Sequence, residues 1–168
     1  MKTIGISYMA FDTSAALMID GELISCCEEE RYNLEKHTRD FPINAIEKCL
    51  TSSGLSINDI DTICFGFDPN LYHNYHLKNK LNRRPLPFIE EIKKKVITDL
   101  GYHGKVEFYE HHLCHAASAY YPSGYKNAVI LSNDGIGEVS CSMIAKGVEN
   151  SLQPIYRENY FPNSLGIA

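Results

Sequence analysis

The chain has 168 residues, 44% of them hydrophobic and 22% charged, enough for one domain, or a domain and part of another, around a sizeable core. A formal net charge of -5 gives no basic field for gripping nucleic acid, and the densest basic run, "KNKLNRRP" followed by "KKK", sits beside Glu90 and Glu91 and reads as a solvated face. No apolar run approaches the roughly 18 residues of a membrane span, and "MKTIGISYMAFDTSAALM" lacks the apolar core and cleavage site of a secretion signal, so a cytoplasmic chain with no membrane partner is expected.

In chain order, "TIGISYM", "SAALMID" and "ELISCCEE" read as three strands, with Asp20-Gly21 turning the second into the third. "DFPINAIEKCLTSSG" predicts a helix: Pro42 suits its first turn, Ile43, Ile46, Cys49 and Leu50 form an apolar stripe, and Gly54 suits its end. "TICFGF" reads as a buried strand. Residues 68–87 show no defensible period and are expected to be a loop or excursion. "PFIEEIKKKVITDLG" restores helical spacing through Ile89, Ile92, Val96 and Leu100, and "KVEFYEH" predicts a short strand. Strand and helix alternate here, the mark of an α/β layer architecture.

"EHHLCHAASAYYPSGY" follows, with three histidines and a cysteine in five residues. On a helix His111 and His115 share a face, with Cβ atoms roughly 5–6 Å apart, so one ion could touch both. Ala116, Ala117 and Ala119 are expected against a sheet, with His112 on another face as a hydrogen-bonding neighbour of the pair. Cys114 falls near the ligand side and reads as a bystander. Cys26, Cys27, Cys49, Cys64 and Cys141 lie in apolar runs and read as small buried hydrophobes, reduced in a cytosolic setting.

The segment after the histidines repeats the opening. "NAVILSNDGIGEVSCSMIAKGVENSLQPIYREN" again reads strand, turn, strand, Gly turn, strand. One offset of 126 positions relates Ser14 to Ser140, Gly21 to Gly147 and Asp12 to Glu138, which points to an internal duplication. A duplicated meander followed by helices is the plan of the ribonuclease-H-like, actin-like ATPases. The expected division is a first, complete subdomain over 1–125 and the start of a second over 126–168. The second copy stops at "FPNSLGIA" before its helices, so the chain is expected to be the front of a longer protein.

Four segments in order, "SAALMIDGELISCCEEERYNLEKHTRDFP", "EHHLCHAASAYYPSGY", "NDGIGE" and "FPNSLG", resemble the signatures of the NodU/CmcH carbamoyltransferase family. The resemblance runs nearly end to end. It implies an enzyme that takes a carbamoyl group from carbamoyl phosphate, through a carbamoyl adenylate made with ATP, to a hydroxyl of a sugar or antibiotic. It also implies a further C-terminal, adenylate-forming domain, without which the present residues would be inactive. The related tRNA-threonylcarbamoyl transferases hold a metal, typically iron, on the same His-x-x-x-His helix. Carried over, the ligands are His111 and His115 with Asp134, and the site faces the cleft between subdomains. Two imidazoles and a carboxylate suit ferrous iron, and zinc would tolerate them.

The resemblance places the basic stretch of Arg31, Lys36, His37 and Arg39 near the anionic donor. Lys36 and Arg31 are the expected anion contacts. Gly135 and Gly137 could bring backbone N–H groups to a phosphate, and Asn163 and Ser164 of "FPNSLG" complete the expected donor or nucleotide contacts. Where the family often has a histidine before this "D.SAAL" segment, the chain has Phe11, which cannot take a proton. Either Asp12 or another residue then serves as base for the acceptor hydroxyl, or transfer is lost. Two alternatives remain open: an inert actin-like nucleotide- or metal-binding module, and a metal-dependent hydrolase. The hydrolase helix would carry Glu after its first His, where this chain has His112.

Overall fold

The structure, a computed structural model, describes residues 1–79, 86–135, 137–159 and 165–166. Its strands are β1 (Lys2–Ser7), β2 (Ser14–Ile19), β3 (Glu22–Glu28), β4 (Thr62–Phe65), β5 (Lys105–Phe108), β6 (Asn127–Asn133), β7 (Ser142–Val148) and β8 (Ser151–Glu158). Its helices are α1 (Glu30–Asn33), α2 (Ile43–Thr51), α3 (Pro69–Lys78), α4 (Ile89–Leu100) and α5 (His111–Tyr120). None of the described helices is long and apolar enough to cross a membrane.

The chain divides into two compact units, Met1–Pro69 with Arg84–Phe108, and Asn70–Arg83 with Tyr109–Ala168. The first holds a five-stranded sheet of order β3-β2-β1-β4-β5, antiparallel through the β1–β2–β3 meander and parallel from β1 to β4 to β5. Period-two alternation puts Ile4, Ile6, Ala15, Leu17, Ile63 and Phe65 in one cluster with Ala45, Ile46 and Cys49 of α2 and Ile92 and Val96 of α4. Each Ile, Leu, Val or Phe among them contributes about 1.5–3 kcal/mol when fully buried. Phe65 stacks on Phe108 at 5.1 Å between centroids, and Tyr8 meets Phe41 edge-on at 5.2 Å.

Pro42, at the N-cap of α2, has no side-chain acceptor to offer the helix's first N–H groups. Buried Glu29 supplies one: its carboxylate accepts from the Ala45 N–H at 2.8 Å and from the Asn44 side-chain amide at 2.6 Å. Within α2 the buried stripe is Ala45, Ile46, Cys49 and Leu50, while Ile43 is exposed, so the packed face is turned slightly from the expected one. The expected loop over 68–87 is corrected in its first half, where α3 forms. Pro69 suits its first turn, but its apolar residues are spread around the helix, so no amphipathic period announces it.

The second unit holds a three-stranded antiparallel sheet in its described residues, β6-β7-β8, with α5 packed on it. The offset of 126 holds in three dimensions through the first strand and a half. Ile4 and Ile130, Ile6 and Ser132, Ala15 and Cys141, and Leu17 and Met143 are all buried pairs. Then it slips. Gly21 sits in the β2–β3 turn at φ +88°, whereas Gly147 lies inside β7 and the second hairpin turns at Glu149-Asn150 instead.

Tyr120 is the physical reason. Its ring covers Gly147, and its one hydroxyl proton is shared between the carbonyls of Lys126 at 2.9 Å and Glu149 at 2.8 Å, so the strand must run past the glycine before it can turn. The same packing places α5, expected in a subdomain ending at 125, in the second unit with the β6–β7–β8 sheet. Ala116 is buried against the sheet as expected, Ala117 is half-buried, and Ala119 is exposed, a correction that follows from Tyr120 filling the next inward position. A Cβ on Gly147 would overlap the Tyr120 ring. The Gly147→Ala substitution should therefore cost about 1–3 kcal/mol in chemical denaturation, against no more than about 0.5 kcal/mol for Lys146→Ala at the adjacent exposed position.

Candidate metal centre

α5 starts where buried Glu138, from the loop between β6 and β7, accepts the main-chain N–H of His111 with both carboxylate oxygens, at 3.0 and 3.1 Å. An acid at a helix N-terminus satisfies an otherwise orphaned donor and sits in the favourable end of the helix dipole. Arg157 of β8 reinforces this corner with a bidentate pair to Glu110, at 2.8 and 2.7 Å. The β6–β7 loop and the first turn of α5 are thereby held to one another, and the loop carries Asp134.

The result is a convergence of three donor atoms. His111 Nε2 lies 2.6 Å from Asp134 Oδ2, His115 Nε2 lies 3.3 Å from the same oxygen, and the two Nε2 atoms are 3.0 Å apart. Each of these atoms can offer a lone pair to a cation once the protons between them are displaced, so one ion could take all three. Donors held about 2.0–2.2 Å from one ion at roughly 90–110° would stand about 3 Å apart, which these distances match. Exposure rises from His111 to His115, leaving the group open on one side. Burial alone would push the Asp134 carboxyl up, but hydrogen bonds from His111, from the Gly135 N–H and from His115, with the charge on His111, hold it below the usual carboxylate range.

His112 is fully buried and takes no part in the cluster. Its Nε2 lies 2.9 Å from the Ser140 carbonyl, which can only accept, so this nitrogen carries the proton. Its Nδ1, 2.8 Å from Ser132 Oγ, then accepts a hydrogen bond from the serine hydroxyl and has no lone pair left for a metal. Burial and then the neighbouring charge of His111 push this imidazole's pKa down, which keeps it neutral. The expected role as a hydrogen-bonding neighbour fits this geometry.

Gly135 and Gly137, expected to offer N–H groups to a phosphate, direct them into their own turn. Gly135 N–H donates to Asp134 Oδ1 at 2.6 Å and Gly137 N–H to the Ser140 carbonyl at 2.8 Å. A Cβ on Gly137 would stand 3.0 Å from His112 Cδ2, so glycine there serves close approach of the loop to the helix. Asn163 and Ser164 lie outside the described residues. Their neighbour Gly166 packs on the Asp134 main chain, where an added Cβ would come 2.7 Å from the Asp134 carbonyl oxygen.

In the first unit, Lys36 Nζ donates to Glu30 at 2.8 Å, Arg31 Nε to Glu28 at 3.1 Å, and Asp12 Oδ1 lies 2.9 Å from His37 Nδ1. Lys36 and Arg31 are thus brought to one carboxylate neighbourhood, and both remain largely exposed. The hydrogen bond from Lys36 and then that from the His37 main chain hold the Glu30 carboxyl below its ordinary value. Sequence reasoning missed Glu29 and Glu138 as helix anchors. The signal available for Glu138 was its place in "NDGIGE", immediately after a glycine turn.

The chain matches the family profile described as carbamoyltransferase N-terminus over residues 2–97 and 74–168. It is 32% identical to an uncharacterized protein of Synechocystis sp., sll1178, over 98% of this chain and 30% of that one. It is 31% identical to nodulation protein NolNO of Sinorhizobium fredii, over 93% of this chain and 24% of that one. It spans less than a third of the length of either relative. Among solved structures, a ROK hexokinase from Thermus thermophilus superposes with a TM-score of 0.51 at 12% identity, covering 99% of this chain and 52% of the hexokinase. An uncharacterized protein with similarity to the peptidase YEAZ from Pseudomonas aeruginosa gives 0.50 at 9% identity, covering 92% and 63%. These likenesses establish the fold as actin-like α/β.

Titration of ferrous iron or zinc into the protein at neutral pH, followed by calorimetry, should show one weak site, lost in His115→Ala. Affinity should fall as pH drops, because protons compete with the ion for its donor atoms. Identical curves for the two proteins would remove the pair from the site.

Proposed function

This chain belongs to the carbamoyltransferase N-terminus family, and on that premise we propose that it forms the front of an O-carbamoyltransferase. The reaction moves a carbamoyl group from carbamoyl phosphate, by way of a carbamoyl adenylate formed with ATP, to a hydroxyl of a small molecule such as a sugar or antibiotic. The observation that carries this reading is the meeting of His111, His115 and Asp134 at one point in a chain of this family.

His111, His115 and Asp134 fit a divalent metal, ferrous iron before zinc, which would supply Lewis-acid polarisation of a donor oxygen. Glu138 fixes where the imidazoles stand, and Gly135 and Gly137 shape the turn that presents Asp134. Lys36 and Arg31 are the groups we assign to the anionic donor. Both now lean on carboxylates, and a phosphate offers them a stronger acceptor with more oxygens. Asp12 belongs to the acceptor side of the reaction. The adenylate-forming chemistry and the choice of acceptor we assign to the remainder of a chain as long as its relatives.

The test is a carbamoyl-transfer assay with such a full-length chain. Transfer should require both carbamoyl phosphate and ATP, and residues 1–168 alone should give none. Lys36→Ala in the full-length chain should raise KM for carbamoyl phosphate about 10- to 100-fold, the loss of one charge-assisted hydrogen bond, and leave the acceptor KM within about threefold. Transfer by the 168 residues alone, or hydrolysis without ATP, would contradict the assignment.

A further inference from the structure

The first unit contains a second group of chemically capable side chains, apart from the three donors above: Asp12, Glu30 and His37, whose ligand atoms lie within 4.8 Å of one another. Glu30 is nearly buried and already engaged. One of its oxygens accepts Lys36 Nζ at 2.8 Å and the other the main-chain N–H of His37 at 3.1 Å. It therefore acts as a clamp on the 36–37 segment, with Lys36 supplying the positive charge a metal would otherwise provide. That leaves a pair, Asp12 and His37, with both side chains more than half exposed.

The pair has a fixed polarity. Asp12 is an acceptor when ionised, so the 2.9 Å contact requires the proton on His37 Nδ1. A neutral imidazole protonated at Nδ1 has its lone pair on Nε2, on the far side of the ring from the carboxylate. In water histidine favours the opposite tautomer, so Asp12 selects the form whose exposed nitrogen is a base.

The backbone is also committed to the arrangement. Asp12 and His37 both adopt left-handed conformations, at φ +59° and +56°, which cost free energy for residues other than glycine. They are held there by the Glu30 clamp and by Thr13 N–H on the Thr38 carbonyl, two residues that are fully buried. An exposed hydrogen bond of this kind returns too little to offset such strain. Three cationic side chains adjoin the pair: Lys36 next in sequence, Arg31 beside Glu30, and Arg39, whose guanidinium lies 3.7 Å from the Phe11 ring centroid.

We propose that His37 is the general base for the acceptor hydroxyl, with Asp12 as its positioning residue and the neighbouring cations as the seat of the donor phosphate. The inference rests on the carbamoyltransferase reading and deepens it by placing the proton. In the step, the hydroxyl oxygen bonds to the carbamoyl carbon while His37 Nε2 takes the hydroxyl proton. The bond from that carbon to the adenylate phosphate oxygen breaks, and AMP leaves with the electron pair. The carbamate ester and AMP are the products, and the imidazolium returns its proton to water.

Two measurements test this. Nitrogen-15 NMR of the imidazoles in the 168-residue chain should show neutral His37 protonated at Nδ1 with a bare Nε2, and Asp12→Ala should shift it toward the Nε2–H form. An Nε2–H tautomer in the wild type would overturn the proposal. In the full-length chain, His37→Ala should lower kcat at least about 100-fold, leave KM for carbamoyl phosphate within about threefold, and recover in part with added imidazole. Activity of His37→Ala within threefold of a transferring wild type would overturn the base assignment alone. A wild type that transfers nothing would overturn the carbamoyltransferase reading, and this assignment with it.

Discussion

The candidate metal centre depends on one buried carboxylate. Glu138 fixes the start of α5 by holding the His111 N–H with both oxygens, and in doing so fixes where the loop carrying Asp134 can lie. Without that contact the loop between β6 and β7 and the helix would each have their own freedom, and a 2.6 Å approach of Asp134 to His111 would need fresh ordering entropy. With it, two imidazoles from one helix and a carboxylate from a neighbouring loop meet before any ion arrives. Pre-formed donors lower the entropic cost of binding for any ion that these atoms take.

The two units use the same device for different ends. In the first, Glu29 holds the N-terminus of α2, and the adjacent Glu30 gathers Lys36 and the His37 main chain. In the second, Glu138 holds α5 and the adjacent loop brings Asp134 to His111 and His115. The likeness does not come from the repeated meander, because Glu29 follows β3 whereas Glu138 lies between β6 and β7. The two units differ in what is gathered: α5, in the second, brings His111 and His115 together one helical turn apart.

Much of this was legible in the sequence because it follows local rules. Period-two alternation located the strands and the i, i+4 spacing placed His111 and His115 together, while Asp134 came from the family resemblance of "NDGIGE". What was not legible is contact between distant residues. Nothing local to Gly147 announces that Tyr120 will cover it and push the hairpin turn onward to Glu149-Asn150. α3 escaped notice because its apolar residues follow no single face. The pairing of Asp12 with His37 spans 25 positions, and the polarity of that pair comes from proton bookkeeping on a distance.

The central claim, that His111, His115 and Asp134 bind one ion, is tested most directly by anomalous diffraction at the iron edge from crystals loaded with ferrous iron. The account predicts a single strong peak within about 2.0–2.3 Å of Nε2 of both histidines and of an Asp134 oxygen. A peak on other residues, or none at an iron concentration that saturates binding in solution, would contradict it.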